Sequence, residues 1–313
     1  MNPTPIEYLT HTWNPLAMRC SRVSEGCRHC WHIPLCDRFA ANPIFSTAER
    51  DAYAGGEIVL RRKELAAPMT RTKPARIGVQ FMGDLFHEDV PVEYIDKVFA
   101  VMALCPQHTF QVLTKRHVRA LEYLTKNQGS HKDGCIPEGI YLAMEDTGWQ
   151  SRETILEYAP PESVVPEDPS WPLPNVWGMV TAENQDMADK RVPILLQCPF
   201  AVRGVSVEPM LGPVSIREHL PAAGEFAGWF RGVDSLECGD TIYQKRPTLD
   251  WVIIGCESGP NRRPCKLEWV RDLAQECRAS RVACFVKQVD LGGRVSKDPA
   301  EWPEDVRVRE YPR

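Results

Sequence analysis

Four cysteines near the start of the chain are the residues whose types and spacing most clearly suggest chemistry. They are Cys20, Cys27, Cys30 and Cys36, and they are separated by six, two and five residues. Thiolates are the soft ligands that zinc and iron–sulfur clusters prefer. Cys27 and Cys30 form a Cys-x-x-Cys pair, in which a tight turn directs both sulfurs to one metal centre. The spacing therefore predicts a metal site on this segment and leaves open which metal it holds.

The composition is consistent with thiols that stay reduced. The chain has 313 residues, of which 43% are hydrophobic and 25% are charged, so a large core can form. Met1 is not followed by a basic stretch and then an apolar stretch, so we expect no secretory signal. Twelve cysteines without such a signal predict a cytoplasmic protein in which clustered thiols are metal ligands rather than disulfides. No apolar run approaches the ~20 residues that span a bilayer, so we expect no membrane contact. We interpret four cysteines as small buried residues, namely Cys105, Cys198, Cys277 and Cys284.

The net charge limits the partners that the chain can have. A formal net charge of −5 argues against a surface built for nonspecific binding of nucleic acid. A local basic groove stays possible under this charge, so nucleic acid remains a candidate partner.

A rhythm of strands and helices begins near residue 76 and predicts the elements that position the site. The helix after Pro91 is the clearest, because Ile95, Val98, Phe99 and Met102 recur at helical spacing on one face. Strands that alternate with helices predict an α/β fold with a mainly parallel sheet, and their number indicates a partial or full (β/α) barrel. The main predicted strands are His11–Asn14, Ile77–Phe81, Thr109–Leu113, Val176–Ala182, Val202–Val207, Asp250–Gly255 and Ala283–Val286.

Several shorter elements are predicted around this rhythm. We expect a short helix over Leu35–Ala41, an edge strand over Glu57–Leu60 and an extra strand over Ile140–Met144. We predict one barrel-like domain over residues 1–313, with insertions at about 126–174 and 212–248. Long insertions of this kind act as lids or substrate-selecting loops.

Charged side chains follow six of the predicted strands. The carboxyl ends of the strands in a (β/α) barrel form the rim at which active sites lie. Strand ends are polar in any protein, but six in succession favour a functional rim, and the cysteine segment follows the first predicted strand to the same rim. The six residues are Asp84, Lys115, Glu183, Glu208, Glu257 and Lys287.

With the cysteines on such a rim, the chain resembles the radical S-adenosylmethionine (SAM) superfamily. It resembles more closely, and nearly end to end, an uncharacterised phage and prophage family, the gene-product thirty-seven / sixty-eight family. That family carries no settled activity, so the chemistry that follows is what the superfamily resemblance implies. The resemblance rests on Thr12-Trp13-Asn14-Pro15, Cys20…Cys27-x-x-Cys30, Gly83-Asp84-Leu85-Phe86-His87, Leu113-Thr114-Lys115-Arg116, 180–185, 206–212, Glu257-Ser258-Gly259-Pro260 and Phe285-Val286-Lys287-Gln288.

The superfamily resemblance implies a radical enzyme. Cys20, Cys27 and Cys30 would bind three irons of a [4Fe–4S] cluster, and the fourth iron would chelate the amino and carboxylate groups of SAM. An electron from a donor such as flavodoxin or ferredoxin would break the S–C5′ bond of SAM. The resulting 5′-deoxyadenosyl radical would abstract hydrogen from the substrate, for which a nucleotide, a nucleic-acid base and a peptide are the candidates.

The resemblance also implies roles for residues that bind the cofactor. Trp31 would lie near the adenine of SAM. The backbone at Gly83 and Asp84 would meet the methionine amino group, and Lys115 or Arg116 would hold its carboxylate. For any one of these residues, a structural contact within the rim is the alternative.

The remaining rim residues divide between the ribose of SAM and the substrate. Glu183 or Glu208 would bind the ribose hydroxyls. The predicted catalytic residues on the substrate side are Lys115, Glu257, Lys287 and Gln288.

Three features depart from the family pattern and keep other hypotheses open. The superfamily usually has three residues between its first two cysteines, and Cys36 has no counterpart in a three-cysteine site. A structural zinc site closed by Cys36 together with Cys20, Cys27 and Cys30 is therefore the alternative, in an interaction protein for nucleic acid or protein. Cys256 and Cys265, which the family usually lacks, face the cluster, hold a second metal or have no role.

A third hypothesis is a metal-dependent hydrolase. It would use rim carboxylates together with Asp84 and His87, which stand three residues apart. No His-x-His or His-Glu-x-x-His motif accompanies them, so this hypothesis ranks last.

Overall fold

The chain divides into two compact units. The computed structural model describes residues 1–126, 136–146, 170–221, 229–232, 242–245, 247–259 and 261–312. The first unit comprises Met1–Thr181, Cys198–Val202 and Gly259–Arg262, and the second comprises Ala182–Gln197, Arg203–Ser258 and Arg263–Arg313. Pro260, most of the first predicted insertion and parts of the second lie outside the described residues. The single domain over residues 1–313 stays a prediction.

The first unit contains a mainly parallel array of strands with helices between them. Its strands are β1 (Asn2–Pro3), β2 (His11–Trp13), β3 (Leu16–Ala17), β4 (Val59–Leu60), β5 (Arg76–Val79), β6 (Thr109–Thr114) and β7 (Val176–Thr181). Strands β2, β5, β6 and β7 pair in parallel in that order, and β1 pairs antiparallel with β2. Strands β3 and β4 form a separate antiparallel ribbon. The helices are α1 (His32–Ala40), α2 (Thr47–Ala54), α3 (Arg62–Leu65), α4 (Val92–Ala103), α5 (His117–Lys126) and α6 (Glu138–Asp146).

The second unit repeats this pattern with fewer strands. Its elements are α7 (Gln185–Leu195), β8 (Val202–Val207, which belongs to this unit from Arg203 onward), β9 (Trp229–Gly232), β10 (Ile242–Lys245), β11 (Trp251–Gly255), α8 (Leu267–Ala279), β12 (Ala283–Asp290) and β13 (Val295–Ser296). Strands β8, β11 and β12 pair in parallel, and β13 pairs antiparallel with β12. Strands β9 and β10 form an antiparallel hairpin within the second predicted insertion.

The apolar pattern of the sequence explains the core of the first unit. Ile77, Phe110 and Val112 are buried on one face of the sheet, and the rings of Phe110 and Trp13 lie 5.8 Å apart. Pro91 precedes α4 because its fixed φ angle suits the start of a helix. The four residues that predicted the inner face of α4 are all buried, as are Cys105, Cys198, Cys277 and Cys284.

The mixed α/β class with mainly parallel strands is confirmed. Barrel closure is not found, because the described strands of each unit form an open series in which the first strand does not pair with the last. The helices that the structure describes include none long and apolar enough to cross a membrane.

Three elements differ from their prediction by more than shifts of one or two residues at a strand end. Ile140–Met144 is part of helix α6 rather than a strand, because a short apolar run does not by itself distinguish the two. Helix α1 begins before the predicted Leu35, since Pro34 lies in the first turn, where a missing N–H costs little. Strand β12 continues to Asp290, so Lys287 and Gln288 lie within it rather than past its end.

Helix α2 was not predicted, although its sequence carries a start signal. The Ser46 side chain accepts a hydrogen bond from the Glu49 backbone, and the Glu49 side chain accepts one from the Ser46 backbone. This reciprocal pair is a capping box, which satisfies two backbone donors that the first turn leaves open.

Candidate functional site

The residues that lead into the cysteine segment (residues 18–31) are attached to the end of strand β5. Asn14 Oδ1 accepts a hydrogen bond from Met82 N at 2.9 Å. The Gln80 side chain accepts one from Leu16 N at 3.0 Å and donates to the Met82 carbonyl oxygen at 2.9 Å. Gln80 itself takes a positive φ of 51°, which ends β5. These bonds explain why polar residues follow the apolar strand here.

Gly83 allows this loop to approach the cysteine segment closely. Its φ is +140°, and a Cβ at this position would lie 2.7 Å from Met18 Sδ. Only glycine combines this backbone conformation with the absence of a side chain. The predicted importance of Gly83 therefore has a steric basis, while a contact between its backbone and SAM stays a prediction.

Asp84 joins the ends of strands β5 and β6. It is 4% exposed, and its Oδ1 accepts hydrogen bonds from Thr114 Oγ1 at 2.7 Å and from Phe86 N at 3.0 Å. Its Oδ2 accepts from Lys115 N at 2.9 Å and from Arg116 Nη1 at 3.3 Å. The Asp84 carboxylate thus holds the backbone and side chains around it in place.

Arg116 connects this carboxylate to the first cysteine. Its Nη1 lies 3.6 Å from Cys20 Sγ, its Nη2 donates to Ser21 Oγ at 2.6 Å, and its Nε donates to Glu88 Oε2 at 2.9 Å. With Asp84, these partners engage all three guanidinium nitrogens, so binding of a SAM carboxylate by Arg116 stays a prediction that requires the release of a partner. The sequence reasoning missed Ser21 and Glu88, although Glu88 directly follows a motif of the resemblance.

Lys115 contacts the second cysteine. Its Nζ lies 3.6 Å from Cys27 Sγ. Burial acts to raise the pKa of Cys27, but the Lys115 ammonium and hydrogen bonds at Val23 and Ser24 hold that pKa below its ordinary value. Cys20 differs, because burial raises its pKa to about 11 in spite of Arg116. Two of the three predicted cluster ligands therefore have a cationic neighbour.

Cys36 lies in the core of the first unit beside helix α2. It is fully buried among Ala17, Ala52 and Tyr53. Its Sγ donates to the Met18 carbonyl oxygen at 3.6 Å and lies 3.2 Å from Nε2 of His32. Burial raises the pKa of the Cys36 thiol to about 12. This environment stabilises a neutral thiol.

Trp31 and Cys30 are the two other residues of this unit for which the sequence predicts a role. Trp31 is 54% exposed, and its ring centroid lies 6.1 Å from that of His32. A role near adenine stays a prediction for this tryptophan. Cys30 is partly exposed, and its backbone N–H donates to the carbonyl oxygen of Cys27 at 3.4 Å.

The described residues contain no group of three or more His, Cys, Asp or Glu side chains already arranged to hold a metal ion. His87 Nε2 lies 2.9 Å from Ser21 Oγ, and His87 Nδ1 accepts a hydrogen bond from Asp89 N at 3.3 Å. Because both ring nitrogens and the Asp84 carboxylate bond to groups of the chain itself, their geometry gives the hydrolase hypothesis no support.

The predicted glutamates of the second unit each pair with a basic residue. An ion pair of this kind is a structural role, which is the alternative to a role in binding or catalysis for a residue at a strand end. It does not test their predicted roles toward ribose or substrate, which stay predictions. The pairs are Glu183 with Arg191 (2.8 Å), Glu208 with Lys287 (2.5 Å) and Glu257 with Arg263 (2.7 Å to the backbone N–H).

Gln288 and the two additional cysteines form a second group in this unit. Gln288 Nε2 donates to the Cys256 carbonyl oxygen at 2.6 Å. Burial and the neighbouring Cys265 raise the pKa of Cys256 to about 12. Asp290 accepts a hydrogen bond from Cys265 N at 3.4 Å and was not predicted as part of this group.

Comparison with known proteins identifies the family of the chain. No curated protein matches it, and no solved structure matches it. One family matches residues 3–302, which is nearly the whole chain, and its description is "Protein of unknown function (DUF5131)". The cysteine segment, Asp84, Lys115, Arg116 and the paired glutamates all lie within the matched range. The chain therefore belongs to the DUF5131 family.

Proposed function

We propose that this protein is a radical SAM enzyme that holds a [4Fe–4S] cluster on Cys20, Cys27 and Cys30. The observation that carries the proposal is the approach of Arg116 to the sulfur of Cys20 and of Lys115 to the sulfur of Cys27, each at 3.6 Å. Cationic donors stabilise thiolate ligands and the negative charge of a cluster.

The number of thiols on the cysteine segment supports a cluster with one open iron. Three thiols lie on one segment of the chain, whereas the fourth, Cys36, is buried in the core of its unit and bonded to the Met18 carbonyl oxygen. When bound, the cluster and SAM would supply hydrogen-atom abstraction by a carbon radical. A flavodoxin or ferredoxin is the proposed electron donor.

The neighbouring residues keep the two cationic donors in position. Asp84, Glu88 and Ser21 hold the guanidinium of Arg116 from three sides, so its contact with Cys20 costs little further ordering. Asp84 also accepts a hydrogen bond from the backbone of Lys115, which fixes the start of that side chain.

A structural zinc site is the second candidate. It is favoured by one observation, namely that Nε2 of His32, a second zinc-binding side chain, stands 3.2 Å from the sulfur of Cys36. In this alternative the protein would be an interaction module for nucleic acid or protein.

Anaerobic reconstitution with iron and sulfide separates the two candidates. The wild type is expected to take up about four irons per chain and to show an EPR signal on reduction that changes when SAM is added. Cys30→Ala is expected to lose this signal, and its matched variant Cys36→Ala is expected to keep it. A colourless protein with about one tightly bound zinc, which Cys36→Ala releases, would replace the proposal with the zinc site.

A further inference from the structure

Gln111, in the middle of strand β6, is a buried amide without a hydrogen-bond partner among the described residues. Its side chain is 0% exposed, and neither Oε1 nor Nε2 has a partner. Buried polar atoms in native proteins are nearly always satisfied. A buried amide whose two polar atoms both lack a partner in the middle of a parallel strand therefore indicates a group that binds there.

The alternation of strand β6 places this amide on the face that leads to the cysteines. Phe110 points to the other face, where its ring meets Trp13. Gln111 points the opposite way, and Lys115 continues the same alternation just past the strand end, where its Nζ contacts Cys27. The four residue steps from Gln111 to Lys115 correspond to about 13 Å along the strand. The unpartnered amide and the candidate metal site thus belong to one face of the first unit.

Aromatic residues stand on both sides of Gln111. The strand register places Gly78 of β5 and Trp177 of β7 beside it. The side chains of Phe81 and Leu9 cover Gly78, because a Cβ there would lie 3.0 Å from the Phe81 ring and 2.6 Å from Leu9 Cδ1. Phe81 and Trp177 are both partly exposed. The amide is therefore flanked by two aromatic side chains that solvent can reach.

This combination has the chemistry of a nucleobase site. A carboxamide presents one acceptor and one donor side by side, which matches the paired acceptor and donor on the edge of a base. Aromatic side chains bind the flat faces of bases by stacking. We propose that this face of the first unit binds a nucleobase and that Gln111 reads its polar edge. The inference rests on the proposed function in one respect, because it names a nucleobase-bearing molecule as the substrate of that enzyme.

Equilibrium dialysis of the full chain with adenosine, guanosine, cytidine and uridine tests the proposal. The wild type is expected to bind at least one nucleoside saturably. Gln111→Leu, which removes donor and acceptor at similar size, is expected to weaken that binding at least tenfold. The matched control Gln275→Leu changes an exposed glutamine of α8 and is expected to bind as the wild type does. Gln111→Met serves the same purpose if the leucine variant fails to fold by circular dichroism.

Three outcomes would overturn the proposal. The first is that no nucleoside binds, and the second is that folded Gln111→Leu binds as tightly as the wild type. The third is that only adenosine binds and that S-adenosylhomocysteine displaces it, which would assign the amide to the cofactor. A protein that takes up iron and responds to SAM without binding a nucleoside would contradict this inference alone. A protein that binds a nucleoside through Gln111 without taking up iron would contradict the proposed function alone.

Discussion

Replacement of Asp84 by asparagine is expected to destabilise the first unit strongly for so small a change. Oδ1 accepts hydrogen bonds from Thr114 and Phe86, and Oδ2 accepts them from the Lys115 backbone and from Arg116. Asparagine keeps an oxygen for the first pair of donors. It places an NH₂ group against the second pair, so that donors face donors.

The structure sets the size of the expected effect. The Asp84 and Arg116 side chains are 5% and 4% exposed, so water cannot replace the lost acceptor. A buried backbone N–H without a partner costs about 1–3 kcal/mol, and a lost hydrogen bond to a charged group costs about 1.5–3 kcal/mol. Arg116 keeps its contact with Glu88, which limits the loss. We therefore expect the free energy of unfolding to fall by about 3–5 kcal/mol, in the range for breaking a buried ion pair.

Urea unfolding followed by circular dichroism measures this change, with Asp96→Asn as the matched control. Asp96 is also buried, and its Oδ1 accepts one hydrogen bond, from the Tyr123 hydroxyl at 2.7 Å. Burial raises the pKa of Asp96, so a neutral amide suits that position and is expected to cost less than about 1 kcal/mol. A loss in Asp84→Asn no larger than in Asp96→Asn would refute the organising role assigned to the Asp84 carboxylate.

Three further predictions concern charge, pH and backbone. Lys115→Met removes a cation 3.6 Å from the sulfur of Cys27 and is expected to lower the reduction potential of the reconstituted cluster in an EPR-monitored titration; an unchanged potential would contradict the contact. Burial lowers the pKa of His108, so the unfolded state binds more protons and stability falls as the pH drops below about 6.5. His108→Gln should flatten that fall in urea midpoints between about pH 7.5 and 5.5, and an equally steep fall would exclude this histidine as its source. Gly83→Ala adds a Cβ 2.7 Å from the sulfur of Met18 at a φ of +140°. We expect it to lower the free energy of unfolding, measured in urea, by about 2–4 kcal/mol. A Cβ at Gly212 would meet no atom within 4 Å, so the control Gly212→Ala should lower it far less.

The order of strands and helices is largely predictable because its causes are local. Apolar runs around Ile77 and Phe110 become buried strands, and the helical spacing after Pro91 becomes α4. Boundaries and short elements are less predictable. The run Ile140–Met144 forms a helix, and β12 extends to Asp290.

The candidate site is predictable only in its residue types. Cysteine spacing predicts a metal segment, and the strand ends draw attention to Asp84 and Lys115. Nothing in the spacing shows that Arg116 contacts Cys20, because the two residues are far apart in the chain and meet only through folding. Ser21 was missed for the same reason, since its hydrogen bond to Arg116 is equally distant in sequence.

The sequence by itself determined the α/β class, the cluster of cysteines on one segment and the polar character of the strand ends, because these follow from composition and from periods of two to four residues. Only the tertiary structure decided which polar groups satisfy one another. It paired Glu257 with Arg263, buried Cys36 in an apolar core and left the amide of Gln111 without a partner among the described residues. Hydrogen bonding and burial depend on groups that approach in space, so a local pattern cannot specify them.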